Sequence, residues 1–528
     1  MAYRGEIITL PIGIQGFCGS SNPSLLGPGH FGYVEGVDLD GDILIKAGGA
    51  DKINSSPLAD GILSGFSWSP NSSDNNDIVV LENGDVLKDT GAGTWATNMG
   101  SISPPTVFPP FFVGAGGEAS GEDPKLFIFS EADQVQLIDG TSNVIADIST
   151  PPADWASAFP IGGVQHENRL WGFGNANDPH RLYYSTTDDH QDFQGTGSGT
   201  LSVYPGESRQ IVAGISFQSL LLIWKYPRGI YRVDTSDPDT ANWVCRRVTL
   251  ATGGVSPWSV FQISNDAIYL MGNGTIHLLS ATQEFGDVNV SAITKAPNYF
   301  DVFMRGNVNL SGLRRSMGVW YAAKSKALFT VPQVGSTQND IRIQIDFNNP
   351  QIGPRFLLNR RDESPAIWMR PDSDDVEKPV IADGDGYVWN IDLETRSKDG
   401  ATYTMEFETS ENDFSFADAK LGPRTKNGQF IEIVADAVVN ADVTLVPYWD
   451  GMAADPVVIT IGGTAATLDS FILGTDALAA SGIVTARGKL TGSGRRLKLQ
   501  LTNNEDQEIR ISEIRVGFTL ADERTVVA

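Results

Sequence analysis

Seven times along the chain two short runs of apolar and β-branched residues face each other across a turn, and successive pairs recur at nearly constant intervals. The pairs are DIVVLENGDVLK (Asp77 to Lys88), KLFIFSEADQVQLI (Lys125 to Ile138), NRLWGFGNANDPHRLYYS (Asn168 to Ser185), SLLLIWKYPRGIYRV (Ser219 to Val233), DAIYLMGNGTIHLL (Asp266 to Leu279), KALFTVPQVGSTQNDIRIQIDF (Lys326 to Phe347) and KPVIADGDGYVWNI (Lys378 to Ile391). Asn83-Gly84 at the first tip is a strong hairpin signal, since both residues tolerate the positive φ that a tight hairpin turn demands. The centres of the second strands fall at Val86, Val135, Leu182, Ile230, Ile276, Ile343 and Val388, with steps of 49, 47, 48, 46, 67 and 45. About 45 to 50 residues is what four strands and their turns consume in one β-propeller blade. A single blade cannot cover both faces of its own sheet, so neighbours packed round a ring must do it. The spacing predicts an all-β fold with a seven-bladed propeller over residues 51–395, and the step of 67 predicts an insertion near 292–318. The competing arrangement is a series of unrelated hairpins in two sandwiches.

The flanks differ from this repeat. Residues 1–50, with a Gly-, Pro- and Ser-rich stretch from Gly16 to Gly32 and an acidic turn VDLDGD (Val37 to Asp42), read as an extended N-terminal arm. From residue 396 the texture alternates: YTMEFET (Tyr403 to Thr409), FIEIVADAVV (Phe430 to Val439), DVTLVPYWDG (Asp442 to Gly451), PVVITIGG (Pro456 to Gly463), RRLKLQLTN (Arg495 to Asn503) and IRISEIRVGFTL (Ile509 to Leu520). Alternation of this kind marks strands buried on one face, and roughly 130 residues of it fit a β-sandwich. Between the first hairpins lie loops of heavy turn chemistry, Ser101 to Pro124 and Ser149 to Pro160. The first carries Pro109-Pro110-Phe111-Phe112, a poor strand that is either a contact surface or a loop packed on its own blade.

Composition narrows the function. The 38 Lys and Arg stand against 64 Asp and Glu, a formal charge of −26. Affinity for phosphate needs clustered cations, so a broad groove that holds nucleic acid is excluded. The longest apolar run, Leu220 to Trp224, is far short of the roughly 20 residues of a spanning helix. Glu6 precedes the first apolar run and Pro11 interrupts it, so no signal peptide is expected, and synthesis is expected in the cytosol. The two cysteines, Cys18 and Cys245, are far apart, which rules out a disulfide framework as the organising principle.

Motifs that carry chemistry are scarce. The histidines, His30, His166, His180, His190 and His277, show no helical i, i+4 pair of the kind that holds zinc. GTGSGT (Gly195 to Thr200) sets its serine in the wrong place for a nucleophile elbow. GAGGEASG (Gly114 to Gly121) lacks the strand and helix that would aim amides at a phosphate. KDTGAGTW (Lys88 to Trp95) and STTDDHQDF (Ser185 to Phe193) are off-spacing versions of the Asp-box turns of sialidase propellers, which are structural turns in any case. The acidic turns DLDGD (Asp38 to Asp42) and DGDGY (Asp383 to Tyr387) are either solvated hairpin turns or calcium loops without a distal bidentate carboxylate. A basic cluster, Arg487, Lys489, Arg495, Arg496 and Lys498, is either a solvated sheet face or a docking surface for an acidic neighbour, such as another copy of the chain. No catalytic, cofactor-binding or metal-ligating residue is assigned, and no cofactor is expected.

Ile8 to Val37, HENRLWGFGNANDPHRLYYSTTDDHQDF (His166 to Phe193), SFQSLLLIWKYPRGIYRVD (Ser216 to Asp234), and the closing GSGRRLKLQLTN (Gly492 to Asn503) with IRISEIRVGFTL resemble the tail hub, or nozzle, proteins of short-tailed bacteriophages, also called packaged-DNA stabilisation proteins. The resemblance covers chiefly Gly162 to Asp234 and Tyr403 to Leu520. It implies a propeller followed by a sandwich, and a non-enzymatic virion protein of the viral tail, assembled in the host cytoplasm. It further implies a hexameric ring below the portal and its adaptor, contacts with tail fibres or spikes, and genomic DNA that passes through the lumen at ejection without sequence-specific binding. No catalytic residues come with the family. A wall of carboxylates suits such a conduit, because it offers a passing polyanion no binding wells. The rival readings are a phage-borne propeller glycosidase, which needs convergent carboxylates, and a receptor-binding adhesin for host surface polysaccharide.

Overall fold

The computed structural model describes residues 5–521 apart from 13–14, 21–25, 72–73, 90–92, 117–122, 141–142, 188, 208, 282–287, 296–297, 360–364, 373, 437–440 and 463–482. Seven sheets stand in a ring, a seven-bladed β-propeller. Blade 1 runs outward through Ile62–Asn71, Asp74–Leu81, Asp85–Lys88 and Thr97–Ser101, and the next five repeat this antiparallel order. Each hairpin read from the sequence forms the second and third strands of one blade. At the first tip, Asn83 accepts the amide of Asp85 through its side chain, while Gly84 sits at φ +93° with the carbonyl of Ile102 where a Cβ would be. No L side chain fits there.

Blade 7 takes three strands, Ala366–Pro371, Glu377–Ala382 and Val388–Leu393, from the end of the repeat and its fourth, Gly49–Lys52, from before blade 1. The register pairs Trp389 with Lys52, Asn390 with Asp51 and Ile391 with Ala50. This exchange fastens the two ends of the ring through a ladder of backbone hydrogen bonds. The innermost strands then pack in sequence round the axis, that of blade 7 on that of blade 1.

Mid-blade strands are buried on both faces, which is why they read as unbroken apolar runs: Ile78, Val79, Val80 and Leu81 are all at 0% exposure. Where adjacent inner strands meet, a glycine on one makes room for an aromatic ring on the preceding blade. A Cβ on Gly65 would lie 2.7 Å from Trp368, and one on Gly318 would lie 2.3 Å from Phe261.

The 1–50 segment departs from its expected role as an arm. Glu6–Leu10, Val37–Asp40 and Ile43–Lys46 join one sheet of the C-terminal β-sandwich, with Lys426–Asp436, Ile483–Lys489 and Arg510–Leu520. Gly16–Phe17 and His30–Glu35 join the other, with Met405–Thr409, Ala441–Trp449, Val457–Ile461 and Leu497–Asn503. The segments before and after the propeller therefore build one domain. The strands were hidden because they are two to six residues long and lie among turn-forming glycines and prolines. In the sandwich the burial does alternate, residue by residue along Leu497–Asn503. The junction also falls later than residue 396, since Ser397–Lys398 and Ala401–Thr402 still extend the sheet of blade 7.

The extra length between blades 5 and 6 holds a helix, α1 (Phe300–Asn307), and a short turn, Leu313–Arg315, in place of another blade. Helix α1 forms the joint. Phe17 of the sandwich meets Phe300 and Phe303 edge-on at 6.0 and 5.3 Å, and Phe300 stacks on Phe356 of blade 6 at 4.4 Å. One apolar cluster runs without interruption from the sandwich core through α1 into blades 5 and 6.

Candidate functional site at the axial mouth

The proline-rich segment Ser101 to Pro124 singled out in the sequence divides: Phe111–Ala115, expected to make a poor strand, is the innermost strand of blade 2, and residues 102–110 are the connector from blade 1, exposed at Ser103, Pro104 and Thr106. The connector's near end is tied to the hairpin of blade 2: Ser103 donates its amide to Asp133 at 2.7 Å, and the amides of Thr106 and Val107 both reach Glu131. Its far side meets the opposite half of the ring. Arg315, on the connection from blade 5 to blade 6, donates to the carbonyl of Thr106 at 3.0 Å, and Arg314 lies over Phe108 at 5.5 Å and over Tyr226 of blade 4 at 4.7 Å. Trp258, at the entry to blade 5, donates to the carbonyl of Pro110 at 3.0 Å and meets Phe111 edge-on. Phe108, Pro109 and Pro110 are buried. The loop bridges the axial mouth because Pro and Phe pack well without needing ladder hydrogen bonds.

The acidic turn DLDGD lies at the seam between the domains, and each of its carboxylates faces a cation. Asp38 takes Lys326, Asp40 takes Arg510 at 2.6 Å, and Asp42 lies 3.5 Å from Arg355. Arg355 is itself fully buried on Asp346 at 3.0 Å. Burial, the largest influence, would raise the Asp38 pKa, but the charge and hydrogen bond of Lys326, the Leu39 amide and Lys324 together hold the carboxyl below its ordinary range. In the second turn the Asp383 carboxylate accepts the amides of Asp385 and Tyr387 and the Trp389 indole. That is a satisfied turn. Among the described residues no group of three or more His, Cys, Asp or Glu lies close enough to hold a metal ion.

The histidines stand apart from one another. His166 joins blades 3 and 4, with Nδ1 2.8 Å from Ser216 Oγ and Nε2 2.8 Å from Thr235 Oγ1. Burial lowers its pKa, and Glu167 at 4.0 Å works the other way. This Ser–His pair has a hydroxyl where a hydrolytic triad has a carboxylate. His277 stacks on Tyr269 at 5.3 Å with Nε2 2.9 Å from Thr275, and burial and Lys295 push its pKa down to about 4. His30 contacts the carbonyl of Gly27, the His180 carbonyl accepts the amide of Val203, and His190 is buried.

In GTGSGT, Ser198 donates to the carbonyl of Gly195, and the preceding Asp192 holds the amides of Gln194 and Gly195, which lowers its pKa. The Asp-box-like segments are turns of the same kind: Asp89 accepts the Thr94 amide across residues 90–92, which lie outside the described residues, as does residue 188 of the second segment. Most of GAGGEASG also lies outside them. Close carboxylates do occur at Asp77 and Asp89, which share Arg370 at 2.7 and 3.5 Å; burial raises the Asp77 pKa against the pull of that arginine. Both are buried, Asp77 within the strand Asp74–Leu81 and Asp89 just past Asp85–Lys88, so no sequence motif announces them.

The basic cluster divides between the two sheets. Arg487 is held by Glu432 and covers the Phe430 ring at 4.0 Å, Lys498 pairs with Glu408 at 2.9 Å, and Arg496 lies 3.9 Å from Glu411. Lys489 and Arg495 are exposed and pair with no carboxylate among the described residues. Sequence reasoning passed over Arg314, Arg315 and Asn339 at the axial mouth; the adjacent pair of arginines in so acidic a chain was the available signal.

The fold thus defines a seven-bladed propeller fused to a β-sandwich built from strands that precede and follow it in the chain. No family model and no curated protein matches the sequence. Among the described residues no helix is long and apolar enough to cross a membrane.

Proposed function

We propose that the chain is a structural subunit of a virion, the tail hub or nozzle of a short-tailed bacteriophage. In this reading a ring of copies, hexameric by the family resemblance, continues the DNA channel below the portal and its adaptor, retains packaged DNA and lets it pass at ejection. Its partners are further copies of itself, the head-to-tail adaptor, and fibres or spikes. Genomic DNA moves through without sequence-specific binding, and the protein resides in the virion tail after assembly in the host cytoplasm.

The observation that carries the reading is the fusion of propeller and sandwich into one acidic block through a continuous core, with a formal charge of −26. A subunit whose domains share one apolar core presents a single surface to its neighbours, and an acidic wall does not retain a polyanion. The bridged axial mouth supports a lumen between copies over one inside each propeller.

Electron microscopy and native mass spectrometry of the purified protein test this. Closed rings with a central hole are expected, and monomers at every concentration and salt would overturn the reading.

A further inference from the structure

At the axial mouth, beside the bridging loop, lies a depression of about 280 Å³ lined among others by Thr106, Asn309, Ser311, Arg314, Arg315 and Thr337. We propose that it binds a phosphomonoester, with Arg314 and Arg315 on the phosphoryl oxygens and the Thr337 hydroxyl donating to one of them.

Charge selects the ligand class. Two arginines and no carboxylate line the depression, a local excess of cation in a chain of formal charge −26. Neither arginine forms an ion pair with a carboxylate among the described residues. Glu131, which accepts the Thr106 and Val107 amides, does not line the depression. A phosphomonoester near pH 7 carries about −1.5 to −2 charges and three acceptor oxygens, enough to meet both guanidinium groups. A carboxylate or a phosphodiester has a single charge and leaves one of them unmatched.

The cations are positioned before any ligand arrives. Arg315 gives one of its N–H donors to the Thr106 carbonyl at 3.0 Å and keeps the rest of its fork. Arg314 lies over the rings of Phe108 and Tyr226, at 5.5 and 4.7 Å. Both side chains are half-buried, on the short turn Leu313–Arg315. The rim is also tied down: the Ser311 hydroxyl donates to Asn309 Oδ1 at 2.6 Å, and Asn309 Nδ2 donates to the Ser336 carbonyl at 2.8 Å. Side chains already fixed in this way lose little rotamer freedom on binding. Thr337 is exposed on the turn between Lys326–Pro332 and Asn339–Asp346 and brings its hydroxyl to the same space. A volume of about 280 Å³ equals roughly nine waters at liquid density, room for a phosphoryl group and a sugar ring.

The proposal does not rest on ring formation, since every group in it belongs to one subunit. Calorimetric titration of the full chain tests it, with inorganic phosphate, glucose 6-phosphate, glucose, glucuronate and a short oligonucleotide without terminal phosphates as ligands. Glucose 6-phosphate is expected to bind at least about tenfold more tightly than glucuronate, and glucose to give no measurable heat. R314Q and R315Q should each remove most of that preference, and R315K, which keeps the charge without the fork, should fall between R315Q and wild type. T337V should weaken glucose 6-phosphate by about threefold at an unchanged melting temperature. An oligosaccharide ending in a sugar phosphate that binds more tightly than glucose 6-phosphate assigns the source to a glycan end, and equal binding assigns it to the free sugar phosphate; either supports the site. Failure of phosphate and glucose 6-phosphate to bind, equal affinity for glucuronate, or tighter binding of the oligonucleotide overturns the proposal. If R315Q lowers the melting temperature, R314Q and T337V decide, and unchanged affinity in both overturns it as well.

Discussion

Lys326 of blade 6 donates to both carboxylate oxygens of Asp38 in the sandwich, at 2.5 and 2.6 Å, with the two side chains only 4% and 5% exposed. Gln344 reaches the same carboxylate, and the Leu39 amide completes its shell. Removing one member strands a buried charge. K326M is therefore expected to destabilise the protein by about 3–5 kcal/mol, and D38L with K326M by clearly less than the two single changes added. Urea unfolding of the four proteins measures the coupling; additive losses would show that the pair does not act as a unit. The folded Asp38 pKa lies below its ordinary 3.8, so its contribution is complete above that pH and is lost as pH falls through the depressed value.

His277 provides a second pH dependence of defined sign. Burial, with Lys295, lowers its pKa from 6.5 to about 4 in the folded protein. The unfolded chain takes up the proton first, so stability falls as pH is lowered from 6.5 to about 4. H277N should flatten that part of the profile. Identical wild-type and variant curves of unfolding free energy against pH would refute the assignment.

How much of this was legible before the structure follows from which faces the strands bury. Ile78–Leu81 and Leu221–Trp224 are covered on both sides by neighbouring blades, and that double burial writes unbroken apolar runs at a fixed period. The blade count could be read from them. The ring closure could not, because Gly49–Lys52 is four residues long and finds its partner Val388–Leu393 more than three hundred residues away. The strands of residues 1–50 were missed for the same reason, with glycines and prolines masking their alternation. At the axial mouth the proline-rich loop stood out, but what it touches did not. Arg315 is 209 residues from Thr106, and only ring closure sets them side by side.

The glycines between blades give a third test. In G65A the new methyl would lie 2.7 Å from the Trp368 ring, inside a packed interface with little room to yield. Overpacking of this kind costs about 1–3 kcal/mol. The melting temperature should drop while the circular dichroism of the folded state is retained. G65A/W368L should recover part of the loss, and failure to do so would place the strain elsewhere.

Two cations of the basic cluster should behave in opposite ways. Lys498 is engaged by Glu408 at 2.9 Å and lies over Tyr448 at 4.5 Å, so K498E breaks contacts within the subunit and should lower its melting temperature. Arg495 is exposed, and only its backbone is held, the amide by Asp450 and the carbonyl by Lys426. R495E should leave the monomer's stability unchanged and weaken ring assembly if this edge docks on an acidic face of the next copy, since opposed charges fix register across a heterologous interface. Native mass spectrometry at low and moderate salt separates the outcomes. Rings intact in R495E at both salt concentrations would remove this edge from the subunit interface, and would move the search to the outer strand Val244–Thr249 of blade 4, where Arg246 is exposed beside Arg247, which Glu207 holds within the subunit.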